Sequence, residues 1–185
     1  MAIFYLVYTL WFISEVILNR LMRSGKSDLK GRDRGSLIII WLTIILAMGL
    51  GVFLSIRYRM PIVPSALFQY AGLGVIIAGM IIRFIAIRSL GKYFTVDVTI
   101  REGHQLKTDG MYRLVRHPSY TGSLISFLGY GMTLDSWPGL LAVVIPVTVV
   151  MIYRIRIEER LLTEQFGQEY RNYMLNSKRL LPWIY

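Results

Sequence analysis

Long apolar runs are the feature that most constrains how this chain of 185 residues folds. A transmembrane helix needs about 20 apolar residues, and the runs at 2–22, 36–56 and 66–87 are about that long. The runs at 120–134 and 139–153 are shorter, so they cross a bilayer only with their flanking turns or form a tight hairpin. Hydrophobic residues make up 55% of the chain and charged residues 17%. The pattern predicts an all-α integral membrane protein with about five transmembrane helices.

The distribution of positive charge predicts the orientation of these helices. The chain carries a net charge of +10. In a five-span arrangement, every lysine and arginine except Arg57, Arg59 and Arg83 falls on one face of the membrane. Because basic loops stay in the cytoplasm, we expect a cytoplasmic C-terminus and an external N-terminus. Basic residues placed between apolar runs do not form the stripe of a nucleic-acid-binding domain, so no nucleic-acid partner is expected.

Two charged side chains and two pairs of small residues lie inside the apolar runs. Glu15 and Arg83 are costly there unless they are paired or near an interface. We expect Arg83 to reach the cytoplasmic interface with its long side chain, and a polar contact inside the helix bundle is the alternative. Small residues spaced by four allow close helix approach, which is the predicted role of Gly74 with Ala78 and of Gly122 with Ser126.

Several kinds of catalytic site are excluded or disfavoured by composition. Cysteine is absent, so the chain has no disulfide, thiolate metal site or thiol nucleophile. Its two histidines, His104 and His117, are too few for a histidine-rich metal centre, so no metal site is predicted, although the composition still allows carboxylates to hold a metal. No dinucleotide-binding glycine motif follows a strand and no phosphate-binding loop is present.

The stretch "RHPSY" at 116–120 predicts an anion site at the start of a helix. Pro118 suits the first helical position. The free N–H groups of the following residues, the helix dipole and Arg116 all favour an anion there. His117, Ser119 and Tyr120 add groups that hydrogen-bond or stack on a ligand. The simpler alternative is a basic membrane anchor followed by an ordinary helix start.

The segments on either side of the last two apolar runs are polar. "FTVDVTI" at 94–100 has the partial alternation of a short strand. Residues 153–174 carry apolar residues at helical spacing and predict a cytoplasmic continuation of the last apolar helix. Arg154 and Glu158 are four residues apart and share one face of that helix. A surface salt bridge is the ordinary interpretation of this pair.

Taken together, these motifs resemble a known family. The ordered set G-x-Y-x-x-x-R-H-P-x-Y-x-G, a Glu–Glu pair and then F-G-x-E-Y is similar to the isoprenylcysteine carboxyl methyltransferases, which are related to the phospholipid methyltransferases. The resemblance covers about residues 88–183. It implies a single membrane domain over 1–185, in which three transmembrane helices at 1–87 precede a methyltransferase core at 88–185. The core would contain two short helices and a C-terminal cytoplasmic helix.

The resemblance also implies a cofactor and a site. S-adenosyl-L-methionine would bind in a cytoplasmic pocket formed by 88–120 and 154–185, and a lipophilic substrate would enter from the bilayer. Motif matching gives the cofactor positions His104, Gln105, Leu106, Lys107, Tyr112, Arg116, His117, Pro118, Ser119, Tyr120, Glu158 and Glu159. Arg154 matches the position that contacts the substrate, and Arg154 with Glu158 forms the expected catalytic pair.

The implied reaction is direct displacement at the cofactor's methyl carbon. A carboxylate nucleophile needs no general base, and Arg154 would hold it through a charge-assisted hydrogen bond. This favours O-methylation of an isoprenylcysteine-like or other lipid acid. N-methylation of a phospholipid amine is the alternative within enzymes, and a catalytically inactive membrane scaffold is the alternative outside them. The sequence leaves the oligomeric state open.

Overall fold

A computed structural model describes residues 1–21, 35–94 and 105–182 of the chain as a bundle of helices. The α-helices are α1 (Ala2–Leu21), α2 (Ser36–Tyr58), α3 (Ala66–Leu90), α4 (Pro118–Thr133), α5 (Trp137–Phe166) and α6 (Gln168–Asn176). Short 3₁₀ turns occur at Gly91–Tyr93 and Gly110–Arg113. The described ranges contain no β-strand beyond one isolated bridge between Val115 and Lys178. The strand predicted at 94–100 falls almost entirely outside the described residues.

Four of the described helices, α1, α2, α3 and α5, are long and apolar enough to cross a membrane. Leucine, isoleucine and phenylalanine side chains are exposed along these helices, as expected of surfaces that face lipid. The all-α membrane prediction is confirmed, and the chain is a multi-pass membrane protein. Helix α4 has 16 residues, which is about 24 Å at 1.5 Å per residue, so a complete crossing by α4 stays a prediction.

The ends of the helices follow from local sequence. Ser136 begins α5 by accepting a hydrogen bond from the backbone N–H of Gly139 (3.5 Å), as helix-capping serines do. The helix then runs without interruption to Gly167, where a positive φ of 54° ends it. The predicted continuation of the last apolar run beyond 153 is therefore confirmed as far as Phe166, and the rest of the predicted stretch, to 174, belongs to the separate helix α6. Pro118 occupies the first turn of α4, also as predicted.

Glycines set the closest contact in the bundle, between α3 and α4. A Cβ atom added to Gly79 would lie 2.5 Å from the carbonyl oxygen of Gly122 and 2.4 Å from the hydroxyl of Ser126. Side chains larger than hydrogen are excluded there, so the predicted packing role of Gly122 and Ser126 is confirmed. The same prediction for Gly74 and Ala78 is wrong, because both lie on the exposed face of α3 and no atom lies within 4 Å of an added Gly74 Cβ.

The first helix is attached to the bundle differently from the others. Helix α2 packs along α5 and α3 packs along α4, whereas α1 contacts the bundle mainly through α3. Trp11 of α1 is nevertheless buried, with its ring edge-to-face on Phe127 of α4 (4.9 Å between centroids). Space remains between α1 and α2, and this space forms one side of the cavity that holds the candidate site.

Candidate active site

One cavity of about 220 Å³ runs from the polar ends of α4 and α5 into the helix bundle. Its polar end is lined by Lys107, Arg116, His117, Arg154 and Glu158. Its opposite end is lined by the aromatic and aliphatic side chains of Tyr8, Trp11, Met48, Phe127 and Met151. The cavity therefore offers charged groups and an apolar chamber in one continuous space.

The start of α4 brings the side chains of the "RHPSY" stretch into the polar end. His117 is the N-cap residue and is 4% exposed. The Tyr120 hydroxyl donates to Oε2 of Glu158 (3.1 Å), and the rings of His117 and Tyr120 meet edge-to-face at 5.8 Å. His117 Nδ1 lies 3.8 Å from Oε1 of Glu158. His117 and Tyr120 of this motif therefore contact Glu158 across the two helices, a pairing that was not predicted from the sequence.

Residues 177–182, which follow α6 and are called the C-terminal segment below, are held against the same motif by backbone hydrogen bonds in a parallel arrangement. The N–H of Arg116 donates to the carbonyl of Lys178 (2.7 Å), and the N–H of His117 donates to that of Arg179 (3.1 Å). In return the N–H of Lys178 donates to the carbonyl of Leu114 (3.1 Å). These bonds satisfy backbone groups that would otherwise be left unpaired at the helix start, and they fix the C-terminal segment beside the cavity.

A buried carboxylate strengthens that attachment. Glu159 accepts from Nε of Arg116 through Oε1 (2.9 Å) and from Nε of Arg179 through Oε2 (2.8 Å). Arg116 Nη1 also donates to the carbonyls of Ser177 and Met174. Arg116 and Glu159 are each 8% exposed in their side chains. The structure thus uses both side chains to join α4, α5 and the segment after α6.

Tyrosines from two elements, the 3₁₀ turn at Gly110–Arg113 and α6, close the side of the cavity. The Tyr112 hydroxyl donates to the carbonyl of Ala86 (3.2 Å), and the Tyr173 hydroxyl donates to the carbonyl of Tyr112 (2.5 Å). Burial raises the pKa of the Tyr112 phenol, and it raises the pKa of Tyr173 to about 12. Both phenols are therefore neutral hydrogen-bond donors at neutral pH.

Three buried polar atoms of cavity-lining residues have no hydrogen-bond partner within the described ranges: Nε of Arg83, Nε2 of His117 and the hydroxyl of Tyr170. Nε of Arg83 is ion-paired with Glu15 at 2.7 Å, so Nε2 of His117 and the Tyr170 hydroxyl are the two atoms that a ligand would pair. The nearest acidic atom to His117 Nε2 is Oε1 of Glu159 at 3.6 Å, too far for a hydrogen bond. Buried polar groups are nearly always paired. Their position in the cavity wall therefore suits a polar ligand that supplies the missing partners.

Arg154 is buried in the cavity wall, with 1% of its surface exposed. Its Nη1 donates to the hydroxyl of Ser36, in the first turn of α2. The interpretation of Arg154 and Glu158 as an ordinary surface salt bridge is therefore wrong, because Arg154 does not reach the surface. Ser36 was not predicted, since nothing in a lone serine at the start of an apolar run distinguishes it from a helix cap.

Glu15 and Arg83 also line the cavity and were predicted only as isolated charges. Arg83 lies 2.7 Å from Glu15 and donates to the hydroxyl of Ser119 (2.8 Å). The expected extension of Arg83 to the interface is wrong, and the alternative, a contact inside the bundle, is what the structure has. The spacing of polar and aromatic residues along α1 could have predicted that this helix lines the cavity. The residues that recur at helical spacing and line it are Tyr8, Trp11, Glu15 and Asn19.

Most of the predicted site residues meet at this cavity. Those that line it are Leu106, Lys107, Tyr112, Arg116, His117, Ser119, Tyr120, Arg154 and Glu158. Lys107 is paired there with Asp109 (2.8 Å). Gln105 is exposed and, like Pro118 and Glu159, does not line the cavity. His104 lies outside the described residues. In the described ranges no cluster of three metal-ligating side chains occurs.

Comparison with known sequences places the core of the chain in a family. The sequence model described as phospholipid methyltransferase matches residues 67–169. A probable protein-S-isoprenylcysteine O-methyltransferase of Oryza sativa subsp. indica is 35% identical over 118 residues, which are 63% of this chain and 62% of that protein. A methanethiol S-methyltransferase of Pseudomonas deceptionensis is 37% identical over 76 residues, which are 41% of this chain and 28% of that protein.

Comparison with solved structures supports the fold. The eukaryotic intramembrane Ras methyltransferase ICMT (isoprenylcysteine carboxyl methyltransferase) superposes with a TM-score of 0.72 at 23% identity. The match covers 96% of this chain and 64% of that chain. The arrangement of helices is therefore shared along almost the whole chain. The chain spans about three fifths of the length of the curated rice relative that it matches.

Proposed function

Because the chain belongs to the phospholipid methyltransferase family, we propose that it transfers a methyl group from S-adenosylmethionine to the carboxylate of a lipid acid of the isoprenylcysteine type. The observation that carries this proposal is the continuity of one cavity from a charged end to an apolar chamber. A reaction between a polar cofactor and a membrane lipid needs both environments in contact. Binding them side by side supplies the alignment that displacement at a methyl carbon requires.

The charged side chains at the polar end of the cavity are complementary to the charged groups of S-adenosylmethionine. Its carboxylate matches Lys107 and the N-terminus of α4, and its ammonium group matches Glu158. His117 Nε2 and the Tyr170 hydroxyl supply further polar atoms that are otherwise without a partner. Aromatic rings such as Tyr120 suit a sulfonium cation. S-adenosylmethionine would supply a methyl carbon made electrophilic by the adjacent sulfonium.

The nucleophile is best matched by a carboxylate. Arg154 lies buried in the wall at the charged end, where its guanidinium would hold a carboxylate in position. A carboxylate is already ionised at neutral pH, so no group has to remove a proton before it attacks. The name of the rice relative, an isoprenylcysteine O-methyltransferase, agrees with this substrate class.

A phospholipid amine is the second candidate substrate. The description of the matching family favours it, and Glu15 and Glu158 both face the cavity and would attract an ammonium group. An amine must lose its proton before it attacks, however, and the neighbouring Arg154 does not attract its cationic form. The amine is therefore the less favoured substrate.

The position in the membrane is part of the proposal. We place the charged end of the cavity and the C-terminus in the cytoplasm, because the basic residues gather on that face. The cofactor would then enter from the cytoplasm and the lipid from the bilayer, between α1 and α2.

Calorimetric titration with S-adenosylmethionine tests the cofactor assignment. We expect binding by the purified protein, at least tenfold weaker binding by H117A and E158A, and unchanged binding by E164A, whose glutamate is exposed on the same helix. NADPH serves as the control ligand. No binding of S-adenosylmethionine by the intact protein would refute the proposal.

Methyl labelling then tests the substrate. The protein is incubated with labelled S-adenosylmethionine and either S-farnesylcysteine or phosphatidylethanolamine. Label in a base-labile ester supports O-methylation, and label in a base-stable product supports the amine. Failure to label any lipid, despite cofactor binding, would favour a scaffold without activity.

A further inference from the structure

We propose that Tyr8 and Met48 close the cavity at its membrane-embedded end and so set the length of hydrocarbon chain that the protein accepts. This inference rests on the proposed function, because it assigns the apolar chamber to the lipid part of the substrate. Both residues lie outside residues 67–169, the region that matches the family. The family relationship therefore does not decide how the chamber ends.

The depth of the cavity follows from the helices that line it. On α1 the lining residues run from Asn19 to Tyr8, and on α2 they run from Leu37 to Met48. Each interval is eleven residues, so the cavity extends about 17 Å along both helices at 1.5 Å per residue. That is a little more than half of a hydrocarbon core about 30 Å thick. The chamber therefore ends inside the membrane.

Tyr8 is fixed across this end by a hydrogen bond. Its hydroxyl is 2.5 Å from Oγ1 of Thr133 on α4. The Thr133 hydroxyl already donates to the carbonyl of Tyr130 (2.6 Å), so it accepts from Tyr8. The Tyr8 ring also packs edge-to-face on Tyr130, with 5.4 Å between centroids. These contacts hold the ring in one orientation and satisfy its polar atom.

Packed side chains lie beyond the two closing residues. Tyr8 and Met48 pack against a buried cluster that includes Tyr130, Val143 and Val147. Val143 and Val147 have no exposed surface. A hydrocarbon chain whose carboxylate lies at the charged end therefore meets a filled core where it reaches Tyr8 and Met48, and any further length requires this packing to open.

A closed end of this kind discriminates by size. Rejecting or accepting one extra methylene in an apolar pocket changes specificity by about tenfold or more. Replacing Tyr8 by alanine removes the ring and its bond to Thr133, which lengthens the chamber. Replacing Met48 by phenylalanine adds volume and shortens it. The two variants should therefore shift chain-length preference in opposite directions.

The test measures affinity for S-geranyl-, S-farnesyl- and S-geranylgeranyl-cysteine by intrinsic tryptophan fluorescence, since Trp11 and Trp41 line the cavity. We expect Y8A to raise the affinity ratio of the longest to the shortest ligand by about tenfold and M48F to lower it. Y5A is the matched control, because Tyr5 lies on the same helix, is 67% exposed and does not line the cavity. Its ratio should equal that of the parent protein. Binding of S-adenosylmethionine reports that each variant is folded.

Binding and methyl transfer are measured on the same samples, so that the two proposals fail separately. A shifted ratio without methyl transfer supports the closing role of Tyr8 and Met48 and refutes the proposed function. Methyl transfer with the same ratio in all variants refutes the closing role. The absence of binding for every chain length in the parent protein also refutes it.

Discussion

Glu15 of α1 and Arg83 of α3 form a bidentate salt bridge. Nε of Arg83 lies 2.7 Å from Oε1 of Glu15, and Nη2 of Arg83 lies 2.9 Å from Oε2 of Glu15. The remaining guanidinium nitrogen of Arg83 donates to the Ser119 hydroxyl in the first turn of α4 (2.8 Å). Aromatic side chains attach the rest of α1 to α4, and this pair connects α1 to the helix start where His117 lies.

We expect the pair to be strongly coupled energetically. E15A and R83A each leave an uncompensated charge in a largely buried position, whereas the double variant removes both charges. A double-mutant cycle of thermal unfolding in detergent should give a coupling free energy of about 1–3 kcal/mol. R83A should also weaken S-adenosylmethionine binding more than E15A, because Ser119 loses its donor. Additive effects of the two substitutions would contradict this account.

The contact between α3 and α4 should tolerate no side chain at Gly79. G79A places a methyl group against the carbonyl of Gly122 and forces the helices apart. We therefore expect the free energy of unfolding to fall by about 3 kcal/mol, the upper end of the range typical of overpacking. G74A, on the exposed face of the same helix, should be neutral or stabilise by about 0.5–1 kcal/mol because alanine favours helix. Equal effects of the two changes on the melting temperature would show that the close approach is not required.

The carboxylate of Glu159 should hold the C-terminal segment in place. E159Q removes the charge that Arg116 and Arg179 share, and a hydrogen bond to a charged group contributes about 1.5–3 kcal/mol. We expect faster tryptic cleavage at Lys178, whose side chain is exposed, and S-adenosylmethionine binding weakened by about tenfold. E164Q on the exposed face of α5 is the control. Unchanged cleavage in E159Q would mean that the backbone bonds between 114–117 and 178–179 suffice.

Alkaline pH should destabilise the protein through Tyr173. Its pKa rises from 10.0 to about 12 on burial, so between these values the folded protein holds a proton that the unfolded chain has lost. Its contribution to stability is complete below pH 10 and is lost as the pH rises toward 12. Y173F should start about 1 kcal/mol less stable, for want of its hydrogen bond, and should lose less stability over this interval. The measurement is the melting temperature of each protein from pH 10 to pH 12, with Y5F as the exposed control. Melting temperatures of Y173F and the parent protein that fell in parallel would contradict this explanation.

The predictions from sequence were correct where a local sequence pattern is compatible with only one local structure. Apolar length predicts a membrane helix because an unpaired backbone is too costly in lipid, and Pro118 predicts a helix start because its ring fixes φ. Gly74 shows the limit of the method. Its spacing of four from Ala78 fits the small-residue pattern, whereas Gly79 has Val75 and Arg83 at that spacing. Only the rotation of α3 about its own axis decides that Gly79 faces α4.

The sequence by itself determined the helices, their membrane character and the family to which the core belongs, because these depend on composition, short spacing and motif order. Only the tertiary structure decided that Arg83 meets Glu15, that Arg116 and Glu159 hold the C-terminal segment, and that α1 and α2 complete the cavity. Those contacts join residues far apart in the chain. The phase and tilt of whole helices set them, and these are fixed by the packing of all the helices together rather than by any local pattern.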